Sequence, residues 1–218
     1  MLQHKKILLF DFETTGLSAE SSQIIEIGAI LLEKTESGKY QLINELSTLV
    51  LADGPLPSKI VKITHITDEM LLRDGITQEE AFHQFFKMYS EDALLVAYNI
   101  QFDLSFLHQM FKRHWNPQYQ IKNDILDVMA VYKDRHRFPH RLDQAVETYM
   151  VDVPNTHRAL DDIKATLAAL YKMGQEKDNL DKYVNVIGYN SKYGVSGLRL
   201  PHVKYVAQKG GYREIENS

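Results

Sequence analysis

Asp11 and Glu13 stand two residues apart at the end of the apolar run K-I-L-L-F-D-F-E. On a strand, residues at that spacing share a face, roughly 6.6 Å apart, and two carboxylates there can clasp a cation between them. A lone D-x-E is also what a strand running out into a polar turn looks like. Asp103 carries more information. At ~100° per residue, Phe102, Phe106, Leu107, Met110 and Phe111 form one apolar helical face, and Asp103 projects near its middle. A carboxylate buried there needs a cation or hydrogen-bond donors; as a first-turn acid it also complements the helix dipole. The third group is N-T-H-R-A-L-D-D, holding His157, Asp161 and Asp162. The stripe Ala159, Leu160, Ile163, Leu167, Leu170 leaves Asp162 at its border, about 100° from the centre, and Asp161 about 160° away. Asp162 is therefore expected to reach a site at the edge of the core, and Asp161 to face water.

Together these are four carboxylates on three separate elements, without any cysteine. Such a set suits hard cations, Mg²⁺ or Mn²⁺. Two divalent cations about 4 Å apart can hold a phosphodiester, activate a water and stabilise the leaving oxygen. A neutral histidine with a pKa of about 6.5 can take the water's proton.

The elements that must position these groups are read as follows. Lys6–Phe12, Ile24–Glu33 and Glu45–Val50 read as strands, with a turn at Gly38–Tyr40, giving an antiparallel meander. Pro55 and Pro57 break the pattern. Ile76–Tyr89 reads as a helix, Ala93–Tyr98 as a short strand, and Phe102–His114, Ile125–Tyr132, Leu142–Tyr149 and Arg158–Met173 as helices. A meander followed by alternating strands and helices predicts an α/β fold with a central mixed sheet flanked by helices. The predicted division is a catalytic domain over residues 1–177 and a C-terminal appendage over 178–218. Residues 181–218 hold six Lys or Arg and three Asp or Glu, net +3. With Tyr183, Tyr189, Tyr193, Tyr205 and Tyr212 the appendage could stack and hold single-stranded nucleic acid, or form a hairpin packed on the domain.

The formal net charge of −4 argues against a protein that coats nucleic acid through phosphate neutralisation, and leaves open one in which metal ions neutralise charge locally. The first apolar run is cut at Asp11, too soon for a signal peptide or a membrane span. The expectation is a cytoplasmic protein with no membrane contact.

D-F-E-T-T-G-L, A-Y-N-I-Q-F-D and H-R-A-L-D-D, in this order, resemble the three motifs of the DEDDh 3′→5′ exonucleases, the family of the proofreading epsilon subunit of bacterial DNA polymerase III. I-I-E-I-G-A and I-T-H-I-T-D-E-M are weaker pieces of the same resemblance. It implies a ribonuclease H-like fold and hydrolysis at a 3′ end with release of 5′-mononucleotides. Asp11, Glu13, Asp103 and Asp162 would be the metal-binding acids, Asp11 bridging both ions, and His157 the general base. Thr14, Thr15, Gly16 and Leu17 would lie along the terminal nucleotide, with Asn99 and Phe102 flanking the cleft. Tyr98 stands where relatives often have His, and His65, counted with the substrate contacts, where many have Gly; these departures bear on substrate choice. The expected partner is the single-stranded 3′ end of DNA, with RNA as the alternative, as in ribonuclease T or oligoribonuclease. A catalytically silent nucleic-acid-binding module is the alternative from another class. A proofreading role would call for a DNA polymerase subunit as partner.

Overall fold

The computed structural model describes residues 2–153 and 158–217. Its centre is β1 (Lys6–Thr14), whose apolar residues are buried on both faces. β2 (Ile24–Lys34) pairs antiparallel with β1, and β3 (Tyr40–Leu49) antiparallel with β2. On the other side β4 (Leu94–Ala97) runs parallel to β1, and β5 (Ile125–Asp127) parallel to β4. The sheet order is β3-β2-β1-β4-β5, the mixed sheet expected.

The period-2 alternation of β1 divides the core. Leu8, Phe10 and Phe12 face one side, with α3 (Gln78–Phe86) and α4 (Ile100–His114). Ile7 and Leu9 face the other, with α5 (Val128–Arg135), α6 (Leu142–Thr148) and α7 (Ala159–Glu176). Asp11 and Glu13 continue the odd-numbered face, so they point toward the α7 side.

Several boundaries differ from the sequence reading. The third strand begins at Tyr40, not Glu45, because pairing with β2 carries a mostly exposed segment; the turn ends before Tyr40, at Gly38, whose φ is 81°. The helix expected from Ile76 starts at Gln78, where Thr77 forms a capping box with Glu80. Two short helices, α1 (Ser58–Thr64) and α2 (Asp68–Asp74), were not anticipated. Ile125–Tyr132 is not one helix: it is β5 followed by α5, divided at Asp127, whose side chain caps α5 at the Met129 N–H.

The C-terminal segment contains a 3-10 turn (Leu180–Tyr183), β6 (Val186–Tyr189) and β7 (Lys204–Ala207). β6 and β7 are parallel, so they are not a hairpin. Ile187, Leu200 and Val203 join the apolar cluster under α4, and Tyr183, Val186 and Ile215 the one under α5 and α7. Asp134, fully buried, fastens this segment: its carboxylate accepts from Tyr183 Oη (3.0 Å), Gln208 Nε2 (3.1 Å) and the Ile215 and Glu216 N–H groups (2.9 and 3.1 Å).

Candidate active site

The acids gather at the C-terminal end of β1. Carboxylate oxygens of Asp11, Glu13 and Asp162 all lie within 4.8 Å of one another. Asp162 arrives from α7, and the seating of that helix is legible residue by residue. Gly28 sits opposite Asp11 on β2. A Cβ at Gly28 would lie 2.6 Å from the carbonyl carbon of Ala159, so only glycine lets the start of α7 come down on the sheet. Glu26, opposite Glu13 and 1% exposed, accepts from Arg158 Nε and Nη2 (2.9 and 2.6 Å) and from the Ala159 N–H (3.0 Å). The carboxylate thus satisfies a free N–H at the positive end of α7.

Asp103 comes from the opposite face, on the first turn of α4, and is 2% exposed. Its Oδ1 accepts from the Phe12 N–H at 3.0 Å. The pairing of β4 with β1 ends at Leu9, so the far edge of β1 at Phe12 has no strand neighbour, and Asp103 supplies the acceptor. α4 and α7 therefore straddle the end of β1, each bringing an acid.

Crowding these carboxyls in a partly dry site disfavours their charged forms. Burial, then Asp162 and Glu26, push Asp11 up to about 8. Burial, then Asp11, Asp162 and Glu26, push Glu13 up to about 9, against the pull of Arg158. Burial and Asp11 raise Asp103 well above the carboxylate range, opposed by the hydrogen bond from Phe12. A divalent cation reverses each of these effects, so the donor set fits one.

The T-T-G-L segment is a turn braced at its base. The Thr15 N–H donates to Gln23 O and the Gln23 N–H to Thr15 Oγ1, both at 2.9 Å. Thr14 Oγ1 donates to Gly16 O at 2.7 Å, and a Cβ on Gly16 would lie 2.6 Å from Ser22 Oγ. Leu17 projects at the tip, 88% exposed. Asn99 adopts the left-handed conformation (φ 63°), and its N–H donates to Asp127 at 3.0 Å. Burial raises Asp127 to about 6, against several backbone N–H donors. Phe102 is half-buried against Phe106. His65 is the exposed cap of α1, with φ 57°. That left-handed conformation is one that glycine adopts most readily.

Asp161 is half-buried, not turned to water as expected; it lies near enough to Arg158 to help hold that guanidinium protonated. His157 is outside the described residues. Sequence reasoning missed Glu26, Arg158, Gly28 and Asp127 as parts of the site's support. For Glu26 a signal existed: one acid in the middle of the apolar run I-I-E-I-G-A.

Residues 8–170 match the RNase_T family model, described as Exonuclease. The chain belongs to the RNase_T exonuclease family. It is similar to the DNA polymerase III PolC-type of Lacticaseibacillus paracasei, 30% identical over 195 residues, covering 88% of this chain and 13% of the polymerase. The PolC-type polymerase of Caldanaerobacter subterraneus subsp. tengcongensis is 33% identical over 215 residues, covering 94% of this chain and 14% of that one. The RNase_T chain thus spans only 13–14% of the length of these relatives. Among solved structures, E. coli Exonuclease I in complex with a dA16 oligonucleotide superposes with a TM-score of 0.68 at 19% identity, over 82% of this chain and 42% of that one. At that identity the likeness is one of fold: the ribonuclease H-like arrangement of RNase_T exonucleases. Among the described residues, no helix is long and apolar enough to cross a membrane.

Proposed function

We propose that this exonuclease is a metal-dependent 3′→5′ enzyme that removes 5′-mononucleotides from the single-stranded 3′ end of DNA. The observation that carries the reading is the convergence of Asp11, Glu13 and Asp162 within 4.8 Å, with Asp103 brought to the same strand end. Asp11, Glu13 and Asp162 would hold one divalent cation, Mg²⁺ or Mn²⁺, and Asp11 with Asp103 a second. Bound there, the cations supply charge neutralisation and Lewis acidity for phosphodiester cleavage. The braced turn Thr14–Leu17 receives the terminal nucleotide from one side, and Asn99 and Phe102 from the other. His157 takes the proton of the attacking water. DNA is favoured over RNA because the relatives at 30–33% identity are DNA polymerases. That similarity also supports work beside a polymerase, in proofreading or repair.

The test is a time course on 3′-labelled and 5′-labelled DNA and RNA oligonucleotides, with Mg²⁺, Mn²⁺ or EDTA. Immediate release of the 3′ label as mononucleotide, a shortening ladder from the 5′ label and silence in EDTA are expected. Loss of the 5′ label first, or hydrolysis in EDTA, overturns the proposal. Faster digestion of RNA transfers it to the exoribonuclease type.

A further inference from the structure

The parallel strands β1, β4 and β5 end at one edge of the sheet. The acids stand at β1, and Tyr98 and Asn99 follow β4. Beside them lies the loop His136-Arg137-Phe138-Pro139-His140-Arg141. Tyr98 Oη donates to the carbonyls of His140 (2.9 Å) and Arg141 (3.2 Å), tying this loop to the residue next to Asn99. From β1 to β5 is two strand spacings, about 10 Å, a span of a few nucleotides.

Two large rings project here. Phe138 is 83% exposed and Tyr212 61%. Isolated exposed apolar residues are ordinary, but the scaffold beneath these two is fixed by hydrogen bonds. His140 Nε2 donates to His136 O at 2.9 Å. The Gly211 N–H donates to Lys133 O at 2.8 Å and the Arg213 N–H to Asp134 O at 2.9 Å. Gly210 (φ 99°) and Gly211 (φ 80°) allow the C-terminal segment to lie against the loop: Cβ atoms there would meet the His140 ring at 2.7 Å and Arg137 Cγ at 3.1 Å. The backbone that carries the rings is thus set before any ligand arrives, which lowers the ordering cost of binding.

The charge is of matching kind. Arg137 is exposed, and among the described residues no carboxylate lies within ion-pair distance of it. Arg141 pairs with Asp143 at 2.9 Å, and Glu214 accepts from the Lys209 N–H. Residues 182–213 contain six Lys or Arg and no Asp or Glu, within a chain of net charge −4.

We propose that Arg137, Phe138 and Tyr212 form a docking rim for the strand upstream of the terminal nucleotide, the rings stacking on bases and the guanidinium meeting a phosphate. This rests on the exonuclease reading above. Stacking of this kind tolerates any base, because every base has a π-face.

The experiment compares wild type with Phe138→Ala, Tyr212→Ala and Arg137→Ala. Substrates are the p-nitrophenyl ester of thymidine 5′-monophosphate, which reaches only the acidic site, and oligothymidylates of increasing length. The ester should be hydrolysed alike by all four proteins. On long strands KM should rise about tenfold for each ring removed, with kcat unchanged. Arg137→Ala should make the slope of log Kd against log salt shallower by about 0.7, read by fluorescence anisotropy with Ca²⁺. The length at which wild type and variant diverge counts the nucleotides between site and rim. Variants that match wild type on long strands, or lose equally on ester and strand, overturn the rim. If wild type hydrolyses nothing, the exonuclease reading fails, while anisotropy still decides whether the rings hold the strand.

Discussion

Asp161 and Asp162 are sequence neighbours with different surroundings, and they make the sharpest test at the scale of single residues. Only Asp162 shares the cluster with Asp11 and Glu13. Asp162→Asn is expected to abolish turnover, and Asp161→Asn to keep most of it, with folding checked by circular dichroism. Equal loss in both would sink the assignment of Asp162 as the sole ligand of this pair. Asp103→Asn tests the electrostatics. The amide oxygen of asparagine can still accept from the Phe12 N–H, so the fold should be kept while a crowded acid is removed. The pH dependence follows from the raised carboxyls. Asp11 at about 8 and Glu13 at about 9 are raised from ordinary values of 3.8 and 4.5. A folded acid raised in this way costs stability once the unfolded chain ionises; the cost is absent below about pH 4 and complete above about pH 9. In EDTA the melting temperature should therefore fall as pH rises across that window. Mg²⁺ should flatten the fall, adding about 2.7 kcal/mol at 100 times its dissociation constant. In Asp103→Asn the pH-dependent fall should be shallower, and the metal-induced rise smaller. A melt indifferent to Mg²⁺ at every pH would count against the metal centre.

At the scale of elements, the seat of α7 on β2 sets where Asp162 stands. Gly28→Ala would drive a methyl into the Ala159 backbone, and overpacking of this kind costs roughly 1–3 kcal/mol. The helix start should shift, so activity should fall further than stability does. Glu26→Gln should act in the same sense by weakening the hold on Arg158 and the Ala159 N–H; the apparent activation constant for Mn²⁺ is the quantity to measure, and an unchanged value would mean that α7 is held otherwise. Much of this was legible in sequence. The wheel found Asp103 in an apolar face and separated Asp162 from Asp161. What escaped was non-local. β5 is three residues long and exists through its parallel pairing with β4, so periodicity saw only one apolar run through I-L-D-V-M-A-V-Y. β3 is polar enough to hide its first half, and partnership with β2 reveals it. Glu26 shows no role until Arg158, 132 residues away, is brought to it.

At the scale of the whole molecule, the C-terminal segment shares both apolar clusters with the sheet. Asp134 is the polar rivet between them. Asp134→Ala would take this acceptor from four buried or half-buried donors, of which Gln208 Nε2 keeps the Ala130 carbonyl and Tyr183 Oη keeps Glu216; a loss of about 3–5 kcal/mol in unfolding free energy, read from a urea titration, is expected, in line with breaking other buried charged contacts. Wild type should unfold in one transition, because residues 178–217 have little core of their own. A separate early transition for that segment would mark it as an independent unit. In the variant, trypsin should cut first among the basic residues of 182–213, where the latch has been lost.

The hydrogen bond from Phe12 to Asp103 joins two motifs through one backbone amide, and that amide is a natural spectroscopic probe. It lies between Asp11 and Glu13 and is aimed at the acid from the opposite face. In a ¹⁵N–¹H spectrum its resonance should move when the cluster gains a cation or a proton, while amides at the foot of the sheet stay still. Occupancy of the acidic cluster could then be followed in solution without a substrate, a chromophore or an attached label.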